Sequence, residues 1–142
     1  MQTAYQNYKK QEVEGASKGK IVVLLFEGTI KFLRKAIIAI DEKNIQESHN
    51  NIIKAENILY ELMSTLNMDA GEVADNLLRL YDFMIWQLIE ANKEKDKEKI
   101  QSVIELLLPL VDAWKQIVEK DNISVVKAPV DRSEVRSVNF AG

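Results

Sequence analysis

The chain has no cysteine, one histidine and two prolines in 142 residues, and each shortage closes a class of chemistry. Without thiols there is no thiolate zinc site, no catalytic cysteine and no disulfide framework, so packed side chains must carry the fold; the absence also fits a reducing cytoplasm. A lone imidazole, His49, cannot build a di-iron carboxylate bundle, which takes a Glu-x-x-His pair from each of two helices; here the residue three before His49 is Gln46. No metal or cofactor is expected. Long hydrophobic runs are missing as well. The most apolar stretch, Ile21 to Ile40, is interrupted by Glu27, Lys31, Arg34 and Lys35, which a bilayer core would not tolerate. The opening M-Q-T-A-Y-Q-N-Y-K-K lacks the apolar centre of a signal peptide. A soluble, cytoplasmic protein without membrane insertion is the expectation. Charge of one sign is also lacking: 22 acidic side chains stand against 19 basic ones, for a net charge of -3. Signs alternate, as in E-K-D-K-E-K, whereas a nucleic-acid surface would gather basic residues on one face, so no nucleic-acid partner is expected.

What is present is apolar residues at helical spacing. From Asn76 to Asn92 the chain reads N-L-L-R-L-Y-D-F-M-I-W-Q-L-I-E-A-N. Val73, Leu77, Leu80, Met84, Leu88 and Ala91 recur three or four apart, which at about 100° per residue aligns one seam. Ala74, Leu78, Tyr81, Ile85 and Ile89 form a second line beside it, wider than a two-helix contact needs. Ser17, after Gly15, is the expected N-cap of a first helix from about Lys18 to Ile40. Asn44 followed by Glu47 predicts a capping-box start for a second, whose inner face carries Ile45, Ile52, Ala55, Leu59, Leu62, Met63 and Leu66 to a stop near Asn67. Glu72 opens a third helix, and Asp96 caps a fourth over about Lys97 to Lys120. Pro109 deletes one bond inside that last helix, on the solvent side of the wheel with Glu98, Gln116 and Lys120. Trp114 points along the apolar stripe with Ile100, Val103, Ile104, Leu107, Val111 and Val118. Short connections favour antiparallel neighbours, so the reading is an all-α, antiparallel up-down four-helix bundle over 17–120. An N-terminal leader (1–16) precedes it, and an extended C-terminal tail (121–142) follows, with Pro129 and no helical period.

Three features invite a sharper chemistry. G-A-S-K-G at Gly15–Gly19 fits the letters of a nucleophile elbow, and Gly15–Lys20 approaches a phosphate loop. The first lacks its strand, acid and histidine context; the second is one residue short and has Ile21 where a Ser or Thr would hold magnesium. No enzyme is expected. His49 suits a histidine phosphotransfer bundle only loosely. Such domains show H-x-x-K-G, whereas this chain has H-N-N-I-I-K-A, so a boundary histidine near Ile45, Ile52 and Glu56 is the plainer reading. Trp86 falls among Asp75, Arg79, Asp82 and Glu90, opposite Leu77 and Leu88, with Phe83 at the edge of the same surface. An indole on a polar face calls for a cover, which a partner, a second copy or the chain's own tail could supply.

Taken in order, several segments resemble the FliS family of flagellar secretion chaperones. They are Tyr5 in the leader, F-E-G-T-I-K-F-L at Phe26–Leu33, I-I-K-A-E-N-I-L-Y-E-L at Ile52–Leu62 and L-N-M-D-A-G-E-V-A-D-N-L at Leu66–Leu77. L-Y-D-F-M at Leu80–Met84, L-I-E-A-N at Leu88–Asn92 and D-A-W-K at Asp112–Lys115 complete the set. The likeness spans about Tyr5 to Lys120. It departs at Ser17-Lys18, where the family has Ser-Pro, and at Trp86, where the family tends to carry a basic residue.

The resemblance implies a cytoplasmic chaperone that lets the disordered C-terminal region of flagellin fold as helices in apolar grooves and hands it to the export apparatus, whose components are further candidate partners. Helix-in-groove binding coupled to folding needs a large apolar surface to offset the ordering cost. On this reading Ile52, Leu59, Leu80, Met84 and Leu88 contribute to the grooves, Trp86 is a partner or dimer contact, and Tyr5 and Tyr8 form a flap over an empty groove. The alternatives are a phosphotransfer protein using His49 and a helical module that self-associates, as a homodimer, through Trp86 and Phe83. The tail, with Val125, Lys127, Val130, Val135 and Val138 alternating with polar residues, is a candidate stand-in for flagellin.

Overall fold

The computed structural model describes residues 4–127, with side chains over 18–120. Four helices form the bundle: α1 (Ala4–Asp41), α2 (Ile45–Ser64), α3 (Glu72–Glu94) and α4 (Lys97–Lys127), with one turn of 3-10 helix (Met68–Ala70) before α3. In cross-section α1 packs on α2 and α4, and α3 on the same two, so consecutive helices are neighbours around a square and α1 lies diagonal to α3. Short connections between long helices leave only this up-down arrangement.

The caps follow from residue chemistry. Asn44 accepts from the Glu47 backbone N–H at 3.1 Å, which satisfies one orphan donor of α2. The reciprocal half of the expected capping box is replaced. The Glu47 carboxylate takes the Asn51 amide (3.1 Å), and the same amide donates to the Glu47 carbonyl (2.8 Å). Asp96 accepts from the backbone N–H groups of Glu98 (2.9 Å) and Lys99 (3.3 Å), as predicted. Gly71, at φ 78°, makes the turn into α3 in a region that side chains disfavour. Lys43 (φ 59°) and Lys95 (φ 53°) take left-handed conformations at the other two turns without being glycine.

Two boundaries move. α1 starts at Ala4 and not at Lys18, so Ser17 and the expected division between leader and bundle at 16/17 fall inside a helix. Gly19 is buried on the inner face of α1, in step with Val22, Val23, Phe26, Ile30 and Leu33. The apolar period therefore runs through the segment expected to break it, and the local cost of glycine, about 1 kcal/mol each, is outweighed. α4 likewise continues through the expected end at Lys120 to Lys127, with exposed Pro109 inside it. The rest of the tail, 128–142, lies outside the described residues, as do the side chains of Tyr5 and Tyr8.

The core is one apolar cluster drawn from all four helices. Phe26 of α1 and Tyr81 of α3 meet across its centre, ring centroids 6.3 Å apart and tilted by 44°. Burial pushes the Tyr81 phenol up to about 12. Leu33, Ile52, Leu59, Leu62, Met84, Leu88, Ile100 and Leu107 are fully enclosed. Val73, expected in the α3 seam, is 57% exposed, because the core line of α3 runs through Ala74, Tyr81, Ile85 and Leu88, with Leu77 and Leu80 only partly covered. We expect Leu59→Ala to cost about 2–5 kcal/mol of unfolding free energy and Asp96→Ala about 1 kcal/mol, read from urea unfolding; equal losses would contradict the burial of Leu59.

Candidate functional site

A bundle that seals its core can still carry apolar residues outside, and among the described residues some of these line grooves between neighbouring helices. Between α1 and α4, Lys20, Val23, Leu24, Lys115, Val118 and Glu119 line a groove of about 410 Å³. Val23 forms its buried floor, Leu24 stands 66% exposed on its wall, and an ion pair from Lys115 to Glu27 (3.3 Å) ties the two helices beside it. Between α2 and α3, His49, Ile53, Glu56, Ile89, Asn92, Lys93 and Lys95 line a second groove of about 380 Å³. Here the Asn92 amide nitrogen lies 2.9 Å from His49 Nδ1, bridging the helices. Tyr60, two turns from Ile53 on α2 and half exposed, continues the same side of that helix.

The polar residues of the second groove constrain what it can hold. Glu56 is 6% exposed, and burial raises its carboxyl above the usual carboxylate range, while the nearby His49 pulls it back down. A phosphoryl group on His49 would face this carboxylate as well as Lys93 and Lys95, a mixed setting for a dianion. Among the described residues no cluster of His, Asp or Glu could hold a metal ion, and no helix is long and apolar enough to cross a membrane.

The structure separates the residues expected to line grooves. Ile52, Leu59, Met84 and Leu88 come together, but inside: each is 0% exposed. Their place is the core, a correction that follows from two adjacent apolar stripes on one helix, since period alone does not say which stripe faces in. Leu80 lies at the edge, partly buried against the core. Trp86 is 60% and Phe83 53% exposed, so no described residue covers them. Leu24, Ile53, Leu106 and Leu108 were missed; Leu24, on an arc with Lys20, Glu27 and Lys31, carries the signal that singled out Trp86, an apolar residue at a polar wheel position. Also missed was a local basic cluster, in which Lys31, Lys35 and Lys54 stand 5.9, 5.9 and 5.4 Å from the Phe32 ring centroid.

The bundle thus combines a sealed core with surface grooves in which apolar and charged residues mix. Comparison with known proteins gives its family. The model of the family described as "Flagellar protein FliS" matches residues 1–121. The flagellar secretion chaperone FliS of Bacillus subtilis is 32% identical over 121 residues, covering 85% of this chain and 90% of that protein. That of Vibrio cholerae is 38% identical over 122 residues (82% and 90%), and that of Campylobacter jejuni 30% over 122 (85% and 95%). The chain belongs to the FliS family of flagellar secretion chaperones.

Glu56 gives this site a pH signature. Its carboxyl is raised in the folded chain, so its contribution favours folding below its unfolded value near 4.5 and is lost as pH rises through the folded value. Glu56→Gln should therefore unfold at higher urea than the parent at pH 7, with the gap closing toward pH 4. A gap that widens on acidification would show that the carboxylate is stabilised by a partner instead.

Proposed function

We propose that this chain is a cytoplasmic export chaperone for flagellin, without enzymatic activity, that takes up the C-terminal segment of its client in the outer grooves and keeps it from assembling before secretion. The observation that carries the reading is apolar surface left outside a core that is already complete: Leu24 and Val118 above the Val23 floor in the first groove, and Ile53 and Ile89 among polar residues in the second. Leu24, Ile53 and Tyr60 are exposed apolar side chains the bundle does not use for itself, while Ile89 is partly packed against the core. An amphipathic segment that is disordered when free gains helix as its apolar side enters such grooves, and the burial must exceed several kcal/mol of ordering cost.

The grooves lie on different faces, one between α1 and α4 and one between α2 and α3. A client that fills both has to travel around the bundle as separate short helices, which suits a long disordered segment better than one rigid helix. The flap role of Tyr5 and Tyr8 belongs to the same proposal: α1 extends unbroken back to Ala4, which brings their backbone along the helix that forms one wall of the first groove. Of Ile52, Leu59, Leu80, Met84 and Leu88, Leu80 alone is only partly buried against the core.

Calorimetric titration of the full chain with a peptide of the flagellin C-terminal region is the test, with circular dichroism of the mixture. One-to-one binding, a negative heat-capacity change and added helicity are expected, and absence of heat with the cognate flagellin would overturn the reading. Leu24→Asp and Ile53→Asp should each weaken binding at least about tenfold while leaving the helicity of the free chain intact. Leu88→Asp, in contrast, should unfold the bundle.

A further inference from the structure

The outer stripe of α3 is not used by either groove wall and has a pattern of its own. Arg79, Phe83, Trp86 and Glu90 follow one another at spacings of four, three and four, the repeat of a helix–helix seam, and all are exposed. The two aromatic residues occupy the middle and opposite charges occupy the two ends. When a helix meets an antiparallel copy of itself across a two-fold axis, residues face each other when their numbers add to one constant. Placing the axis between Met84 and Ile85 sets Phe83 against the other copy's Trp86 and Arg79 against its Glu90, each contact occurring twice. By the same rule Asp75 comes opposite the other copy's Glu94, a like-charged pair at the outer ends of the seam that limits its strength. One position of the axis thus pairs aromatic with aromatic and Arg79 with Glu90, although nothing in the core packing of α3 requires it.

We propose that the Arg79–Phe83–Trp86–Glu90 stripe of α3 is a self-recognition seam through which two copies of this chain form an antiparallel, two-fold symmetric dimer. Glu90 already receives Lys99 of α4 at 3.1 Å but is 57% exposed, so one carboxylate can take the guanidinium as well. With Trp86 60% and Phe83 53% exposed, the four aromatic side chains of a dimer offer on the order of 500 Å². That is well below the roughly 1,600 Å² of a standard interface, so the dimer is weak, concentration-dependent and sensitive to salt through its charged ends.

Sedimentation velocity of the full chain over roughly two decades of concentration at low salt tests this, with Trp86 emission followed in parallel. The parent should move from monomer to dimer as concentration rises, its emission shifting to the blue, and Trp86→Arg should stay monomeric. Arg79→Glu and Glu90→Arg should each weaken association by about tenfold or more, since each turns two attractive contacts into repulsive ones. Mixed in equal amounts, these two variants should recover the dimer, because only the mixed pair restores opposite charges at both ends. Arg79→Glu/Glu90→Arg in a single chain should recover it too, which keeps the test decisive if one single variant folds poorly by circular dichroism. A parent that stays monomeric at the top concentration overturns the proposal. If its Trp86 emission is then already blue and reddens on removal of residues 128–142, the chain's own end covers the stripe; if it is red throughout, the stripe serves a different protein. A dimer that forms equally well in Arg79→Glu, or is not restored by mixing, overturns the antiparallel register.

Discussion

Everything outside depends on the closure of the interior, and the interior closes around Phe26 and Tyr81. These two residues sit on helices that are diagonal in the square, so their contact spans the bundle and fixes how far apart α1 and α3 can stand. Leu33, Leu59, Leu88 and Ile104 fill the space around them with little or no exposure. A core completed this way leaves no call on the remaining apolar residues. Interiors pack at the density of organic crystals, and extra side chains forced in would strain them, so residues such as Leu24 and Trp86 must stay outside. Their exposure is therefore a property of the surface, separable from the stability of the fold, and it is there that a chaperone has to keep its apolar contacts with a client.

The grooves are shallow because they are the furrows between neighbouring helices of a square. Such a furrow suits another helix better than a compact ligand: the added helix would lay its apolar side between two ridges, as packed helices do within the bundle. The ion pair of Lys115 with Glu27 and the Asn92–His49 contact join the neighbouring helices with polar side chains. In the groove between α1 and α4 a client helix with a polar outer face would meet polar edges and an apolar floor, which sets its orientation without demanding one sequence.

Much of the architecture was legible in the sequence, because helix period, Asn44, Asp96 and Glu72 report on local physics that the tertiary structure leaves in place. Gly15, Ser17 and Gly19 misled for an equally local reason. They resemble a helix start, yet the apolar period continues through Gly19 into the core, and tertiary burial overrides propensity. The site was harder to read. Ile52, Met84 and Leu88 lie on apolar stripes, as groove residues would, and only the placement of the neighbouring helices decides which stripe is sealed. Exposed apolar residues were better marked by their polar neighbours. That signal found Trp86 and Phe83, and would have found Leu24 had it been applied to α1.

The outer stripe of α3 and the two grooves are not equally independent. The groove between α1 and α4 has no wall on α3, and α1 lies across the square from it, so a dimer built on α3 leaves that groove open. The groove between α2 and α3 takes its Lys93 from α3, three residues beyond Glu90 at the end of the stripe. A client helix seated there would lie beside a second copy's α3, and any cost it imposes on the dimer is by reciprocity imposed by the dimer on that part of client binding. Because the seam is small, a modest coupling is enough to shift the balance. Self-association through Trp86 would then be favoured in the unoccupied chain, giving its exposed indole a cover that a client in this groove would remove.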